Sequence, residues 1–128
     1  MRVSDGMSAL VLVIGPGHTL RQAARLMAAR GCGAAVVLDA DGAGYGILTE
    51  RDVLLVLAAG KDPDVEIAAD HLTRDLVFAD PEWPLDVAAD AMLRGGFRHL
   101  VVTDGGAVAG ILSMRDVVRC WNRQRVSA

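Results

Sequence analysis

Gly46-Ile-Leu-Thr-Glu-Arg-Asp52 recurs further along the chain as Gly110-Ile-Leu-Ser-Met-Arg-Asp116. Each copy closes an apolar stretch with glycine, two aliphatic residues, a hydroxyl residue and, three positions later, an aspartate. A hydroxyl three residues ahead of a carboxylate marks the start of a helix. The same two groups also suit a nucleotide, so two copies imply two equivalent sites or one site made by two halves.

The repetition reaches well beyond this signature. An offset of 65 pairs Pro16/Pro81, Leu20/Leu85, Ala23/Ala88, Ala24/Ala89, Met27/Met92, Gly31/Gly96, Val36/Val101, Val37/Val102 and Asp39/Asp104. After Asp39 the offset falls to 64. The missing residue lies in the Gly-rich stretch Ala40-Asp-Gly-Ala-Gly-Tyr45, which reads as a hairpin turn that tolerates a length change. The match also runs backwards, to Asp5/Asp70 and Ser8/Thr73. Nearly the whole chain is therefore two copies of one unit of about 60 residues. The boundaries are 3–59 for the first copy, 60–67 for the linker and 68–122 for the second.

Each copy reads strand, helix, strand, strand, helix. Leu20, Ala23, Ala24 and Met27 form one helical stripe, and Leu85, Ala88, Ala89 and Met92 repeat it. Thr19 suits a helix cap, Pro84 an opening turn, and Gly31 and Gly95-Gly96 the helix ends. The β-branched segments Ala34–Leu38 and Arg98–Thr103 predict strands. Turns follow at Asp41-Gly42 and at Asp104-Gly105-Gly106. Second strands, Tyr45–Leu48 and Val108–Leu112, lead into the signature, and Thr49 and Ser113 open helices reaching about Ala59 and Asn122. Short strands near Leu10–Ile14 and Leu76–Ala79 precede the two stripes.

A chain of 128 residues that is 52% hydrophobic but only 4% aromatic builds its core from Ala, Val, Leu, Ile and Met. One copy alone buries too little surface for comfortable stability, so the halves are expected to share a core. A net charge of −3 argues against a general nucleic-acid binder. Arg115, Arg119, Arg123 and Arg125 read as a solvated helix face with cations near its C-terminus. No apolar run approaches the ~20 residues of a membrane helix. Met1–Ile14 lacks the layout of a signal peptide, so a cytoplasmic protein is expected. Cys32 and Cys120 read as buried, reduced residues, Cys32 aligning with the apolar Phe97.

Capping alone explains the hydroxyl and the acid of each signature. Three features point beyond capping to a ligand site. Both copies close the box with Asp rather than the commoner Glu, both place Arg before it, and both sit where a strand enters a helix. Such a junction offers N–H groups and the positive end of the helix dipole to phosphate, while a carboxylate can accept from ribose hydroxyls. Other chemistries lack a pattern. There is no Ser/His/Asp or Cys/His arrangement, and the signature carboxylates are not paired for acid–base work, so an enzyme is not expected. His18, His71, His99, Cys32 and Cys120 have no metal-ligand spacing.

The duplicated Gly-Ile-Leu-Thr/Ser-x-Arg-Asp, the segment Gly96-Phe-Arg-His-Leu-Val-Val-Thr-Asp104 and the repeated Leu-x-x-Ala-Ala-x-x-Met helix together resemble a tandem pair of CBS (cystathionine β-synthase) domains, a Bateman module. The resemblance covers roughly Val3 to Trp121. It implies an α+β fold of two βαββα repeats packed through their sheets with a pseudo-two-fold, usually dimerising into a flat disc. It implies a regulatory or sensor role without catalysis. The ligand would be an adenine nucleotide (AMP, ADP or ATP, less so NAD or S-adenosylmethionine) bound in clefts between the repeats, with no resident cofactor or metal. The residues it marks are Ser113, Arg115 and Asp116 with Arg98, His99 and Leu100, and Thr49, Arg51 and Asp52. Leu76–Phe78 would line one cleft, and Leu12–Ile14 with Gly33–Ala35 the other. Valines stand at 36 and 101 where many members carry proline, and Gly17 replaces a common acidic residue. Because the first copy has Gly33-Ala34 where the second has Arg98-His99, Ser113 and Asp116 are expected to make the better site. A homodimer and an unidentified regulated protein are the expected partners. The competing reading is a ligand-free module acting only through protein contacts.

Overall fold

The computed structural model describes residues 1–39 and 45–127, and its elements fall into two compact units, Leu12–Leu76 and Met1–Val11 with Val77–Ala128. The expected Asp41-Gly42 turn lies outside the described residues.

In the contiguous unit, β1 (Val13–Ile14), α2 (Leu20–Arg30), β2 (Ala34–Leu38), β3 (Tyr45–Thr49) and α3 (Glu50–Ala58) follow the expected order. β2 pairs in parallel with β1 and antiparallel with β3, with Val36 opposite Ile47 and Ala34 opposite Thr49. Leu20, Ala23 and Met27 of α2 turn their stripe onto Ala35, Val37 and Leu48, a core closed by Val56 of α3. Thr19 caps α2 as expected. Its Oγ1 accepts from Gln22 N at 3.1 Å, and Gln22 Oε1 accepts from Thr19 N at 2.9 Å. The linker belongs to this unit, because Arg21 N donates to Pro63 O, Leu20 N donates to Glu66 O and Arg21 pairs with Asp64.

The other unit repeats the plan with β4 (Phe78–Ala79), α4 (Leu85–Gly95), β5 (His99–Asp104), β6 (Ala107–Ser113) and α5 (Met114–Ser127). Val101 lies opposite Ile111 and His99 opposite Ser113. Gly105 and Gly106 join β5 to β6 with φ of 59° and 84°. Two successive positive φ angles make the hairpin turn whose twist matches its strands, and glycine adopts them without steric cost. Leu85, Ala88, Ala89 and Met92 pack on Leu100, Val102 and Leu112.

Two short elements escape the periodicity. α1 (Val3–Gly6) and a 3₁₀ turn at Ala68–Asp70 occupy equivalent places in the two sequence copies. The segment after each crosses a sheet outside its own copy. Ser8 exchanges both backbone hydrogen bonds with Ile111 of β6 (2.9 and 3.0 Å), and Thr73 does the same with Ile47 of β3 (2.9 and 3.0 Å). The compact units are thus displaced from the sequence repeats by this exchange of leading segments. Cys120 is fully buried in its core. Cys32 departs from full burial, but it packs against its core as its equivalent Phe97 does.

Candidate functional site

Each signature is built where a strand runs directly into a helix. Ser113 ends β6 and α5 starts at the next residue. Asp116 folds back so that its Oδ2 accepts from Ser113 N and from Ser113 Oγ, both at 2.8 Å. Ser113 Oγ in turn accepts from Asp116 N at 3.1 Å. At the start of α3, Asp52 Oδ2 accepts from Thr49 N at 2.8 Å and Thr49 Oγ1 at 3.1 Å, while Asp52 N reaches Thr49 Oγ1 at 3.4 Å. The shorter Asp explains the geometry: its carboxylate closes both on the hydroxyl and on the backbone of the capping residue. The carboxylate nevertheless stays near the surface, Asp116 being 15% exposed.

These bonds change the picture of an open helix end. The first N–H of α5, Met114 N, donates to Arg98 O at 2.8 Å, and the first of α3, Glu50 N, donates to Gly33 O at 2.9 Å. With Ser113 N and Asp116 N held by the capping pair, three of the N–H groups expected to receive phosphate at each junction are satisfied within the chain. What these junctions offer a ligand is therefore chiefly their side chains and the helix dipole.

The structure gathers most of the marked residues. His99 lies opposite Ser113 across the β5–β6 ladder and is half-buried, Arg98 is exposed beside it, and Arg115 is exposed on the first turn of α5. Leu100 faces the other way, buried in the core opposite Leu112, so its side chain is not offered at the surface. In the contiguous unit Thr49, Arg51 and Asp52 stand together, with Ala34 opposite Thr49. Of the lining segments, Leu12, Ile14, Ala34 and Ala35 are buried, whereas Val13 and Phe78 are exposed.

Two neighbours were missed. Arg119 Nη1 donates to Asp116 Oδ1 at 3.3 Å, occupying the oxygen that Ser113 leaves open. Its i,i+3 spacing from Asp116 was the available signal, and the equivalent residue in the first copy is Leu55. Glu50 is the second: its carboxylate folds over Gly33. Among the described residues no cluster of three or more His, Cys, Asp or Glu is placed to hold a metal, and no helix is long and apolar enough to cross a membrane.

The CBS domain family model matches residues 3–59 and 67–122. The chain belongs to the CBS-domain family. An uncharacterised protein of Acidianus ambivalens is 34% identical over 92% of this chain and 71% of its own length. A CBS domain-containing protein of Bacillus subtilis is 30% identical over 90% of this chain and 81% of its own. The chain spans only 19% of a similar CBS domain-containing protein of Arabidopsis thaliana, so this CBS pair also matches a small part of much longer proteins. Among solved structures, a CBS domain protein of Pyrobaculum aerophilum complexed with AMP is 27% identical with a TM-score of 0.84, covering all of both chains. A hexameric CBS-CP12 protein from cyanobacteria is 26% identical with a TM-score of 0.86, over 92% of this chain and 66% of that one.

Proposed function

We propose that this CBS pair is a cytoplasmic regulatory module that binds an adenosine-containing ligand, AMP, ADP or ATP before NAD or S-adenosylmethionine. The ligand is held at the signature residues and signals through the shape of a homodimer or through a partner protein. One observation carries this reading: a hydroxyl–carboxylate pair is fixed at a strand-to-helix junction, with its carboxylate still at the surface and Arg98 and His99 alongside. The AMP-complexed Pyrobaculum relative, aligned along its whole length, supports the choice of ligand class. In this reading Asp116 and Asp52 accept from ribose hydroxyls, Ser113 meets phosphate, Arg98 and Arg115 add positive charge, and His99 adds a polar ring. Leu100 contributes only backbone. The ligand is regulatory, and the protein carries no resident cofactor.

A ligand shifts a dimer only if it binds its two conformations with different affinity. Titration calorimetry against AMP, ADP and ATP tests the binding step. Asp116→Ala removes a hydrogen bond to a charged group, about 1.5–3 kcal/mol, and is expected to weaken AMP binding about 10–100-fold. A folded Asp116→Ala protein with unchanged affinity would return Asp116 to a purely capping role. If none of the nucleotides binds the wild type, a module working only through protein contacts remains.

A further inference from the structure

The two signatures are alike in sequence but differ in the charge of their neighbours, Gly33 and Glu50 in the first copy standing where the second has Arg98 and Met114. Position 33 of the first copy corresponds to position 98 of the second, and both carbonyls receive the first N–H of the adjoining helix. The side chain at this position therefore stands beside the helix start. In the second copy it is Arg98, and the helix opens with Met114, which packs against the core. In the first copy it is Gly33, and the helix opens with Glu50. A Cβ added at Gly33 would lie 3.1 Å from both the carboxyl carbon and Oε1 of Glu50. The Glu50 carboxylate thus fills the space that the missing side chain leaves. The copy with Arg98 at this position opens its helix with an apolar residue, and the copy with glycine opens it with a carboxylate.

The surroundings reinforce the contrast. Near Ser113, Arg119 pairs with Asp116 while Arg98 precedes the signature and Arg115 lies within it, whereas near Thr49 the acids Glu50 and Asp52 accompany Arg51, and Leu55 replaces Arg119. A phosphate brought to Thr49 is repelled by the like charges of the neighbouring Glu50 and Asp52. Ribose hydroxyls meet no such penalty, because they need only an acceptor.

We infer that Glu50 sets the ligand class of the first signature: it excludes phosphate-bearing adenosine compounds from Thr49–Asp52 and reserves that position for adenosine compounds whose 5′ group carries no phosphate. Phosphorylated compounds go to Ser113–Asp116. This rests on the proposed adenosine-binding function and adds a division of labour to it.

Calorimetry on the full chain with adenosine and AMP, at low salt, tests the assignment. The wild type takes AMP at a single strong position that Asp116→Ala weakens about 10–100-fold and Asp52→Ala leaves intact. Adenosine binding shows a component that Asp52→Ala removes. Glu50→Gln keeps the side chain's size and removes its charge, and it adds a second AMP position, with affinity there rising about tenfold. This gain shrinks near 1 M salt, where the screening length falls to about 3 Å. Two equal AMP positions in the wild type, or no change on Glu50→Gln while adenosine and AMP both bind, would overturn the inference and leave the adenosine reading standing. Absence of binding by both compounds in the wild type would overturn both.

Discussion

A single methyl group at Gly110 would collide with the chain's own leading segment. Its Cβ would stand 2.6 Å from Ser8 O and 3.0 Å from Met7 Sδ. Ser8 O is already bound by Ile111 N, so relief costs part of that bridge. At Gly46 the nearest atom, at 2.7 Å, is Cδ1 of Leu72, the end of a flexible side chain, and Thr73 O is 3.3 Å away. Gly110→Ala should therefore destabilise the fold by about 1–3 kcal/mol, and Gly46→Ala by less, measured by urea denaturation. The glycine that opens each signature is thus explained by the strand lying across it, whereas the hydroxyl and acid are explained by the cap. Asp116→Ala should also cost about 1 kcal/mol of stability through the lost cap, so affinity changes in that variant need a folded reference.

Helix ends decide the next level. Gly96 closes α4 at φ 70°, with its N–H on Met92 O. A Cβ there meets no neighbour, so Gly96→Ala isolates the left-handed backbone penalty of about 1–2 kcal/mol, readable as a lowered thermal midpoint. Most elements could be read from the sequence because each carries its own signal: a stripe at helical spacing, a β-branched run, a capping residue, a terminal glycine. α1 and the 3₁₀ turn at Ala68–Asp70 could not, since elements of four and three residues are shorter than the pattern that would reveal them. Only the Asp5/Asp70 pairing hinted at their equivalence. The site divides in the same way. Thr49, Asp52, Ser113 and Asp116 stood out through repetition, whereas Glu50 and Arg119 differ between the copies, and a search for identities passes over differences. Leu100 was marked by its place in a motif, but the alternation of β5 turns its side chain into the core. Sequence had also left the helix starts open to phosphate; the carbonyls of Gly33 and Arg98, distant along the chain, supply the missing partners.

At the scale of the molecule, the exposed apolar residues repeat as the signatures do. Leu54 (62% exposed) corresponds to Val118 (54%), and Leu57 (53%) to Trp121 (45%), while Val56 and its equivalent Cys120 are buried. In the contiguous unit Leu57 also borders a hollow of about 320 Å³ with Ala24, Ala28 and Val53. Large apolar side chains left outside at matching positions of both copies support the proposed homodimer. Leu54→Glu with Trp121→Glu should shift the sedimenting species toward monomer without unfolding it. A wild type that is monomeric at high concentration would remove assembly from the proposed signalling route.

The exchanged leading segments also impose an order on the birth of the protein. Leu12–Leu76 is continuous and has all of its own strands once residue 76 has left the ribosome. Residues 1–11, made before it, belong with Val77–Ala128, made after it. At synthesis rates of about 5–20 residues per second, Val3 and Met7 must wait several seconds undocked until Val77–Ala128 follows, and the contacts they finally make are far apart in sequence. The unit with the N-terminal strap should therefore be the slower to mature and the more vulnerable to proteolysis during synthesis.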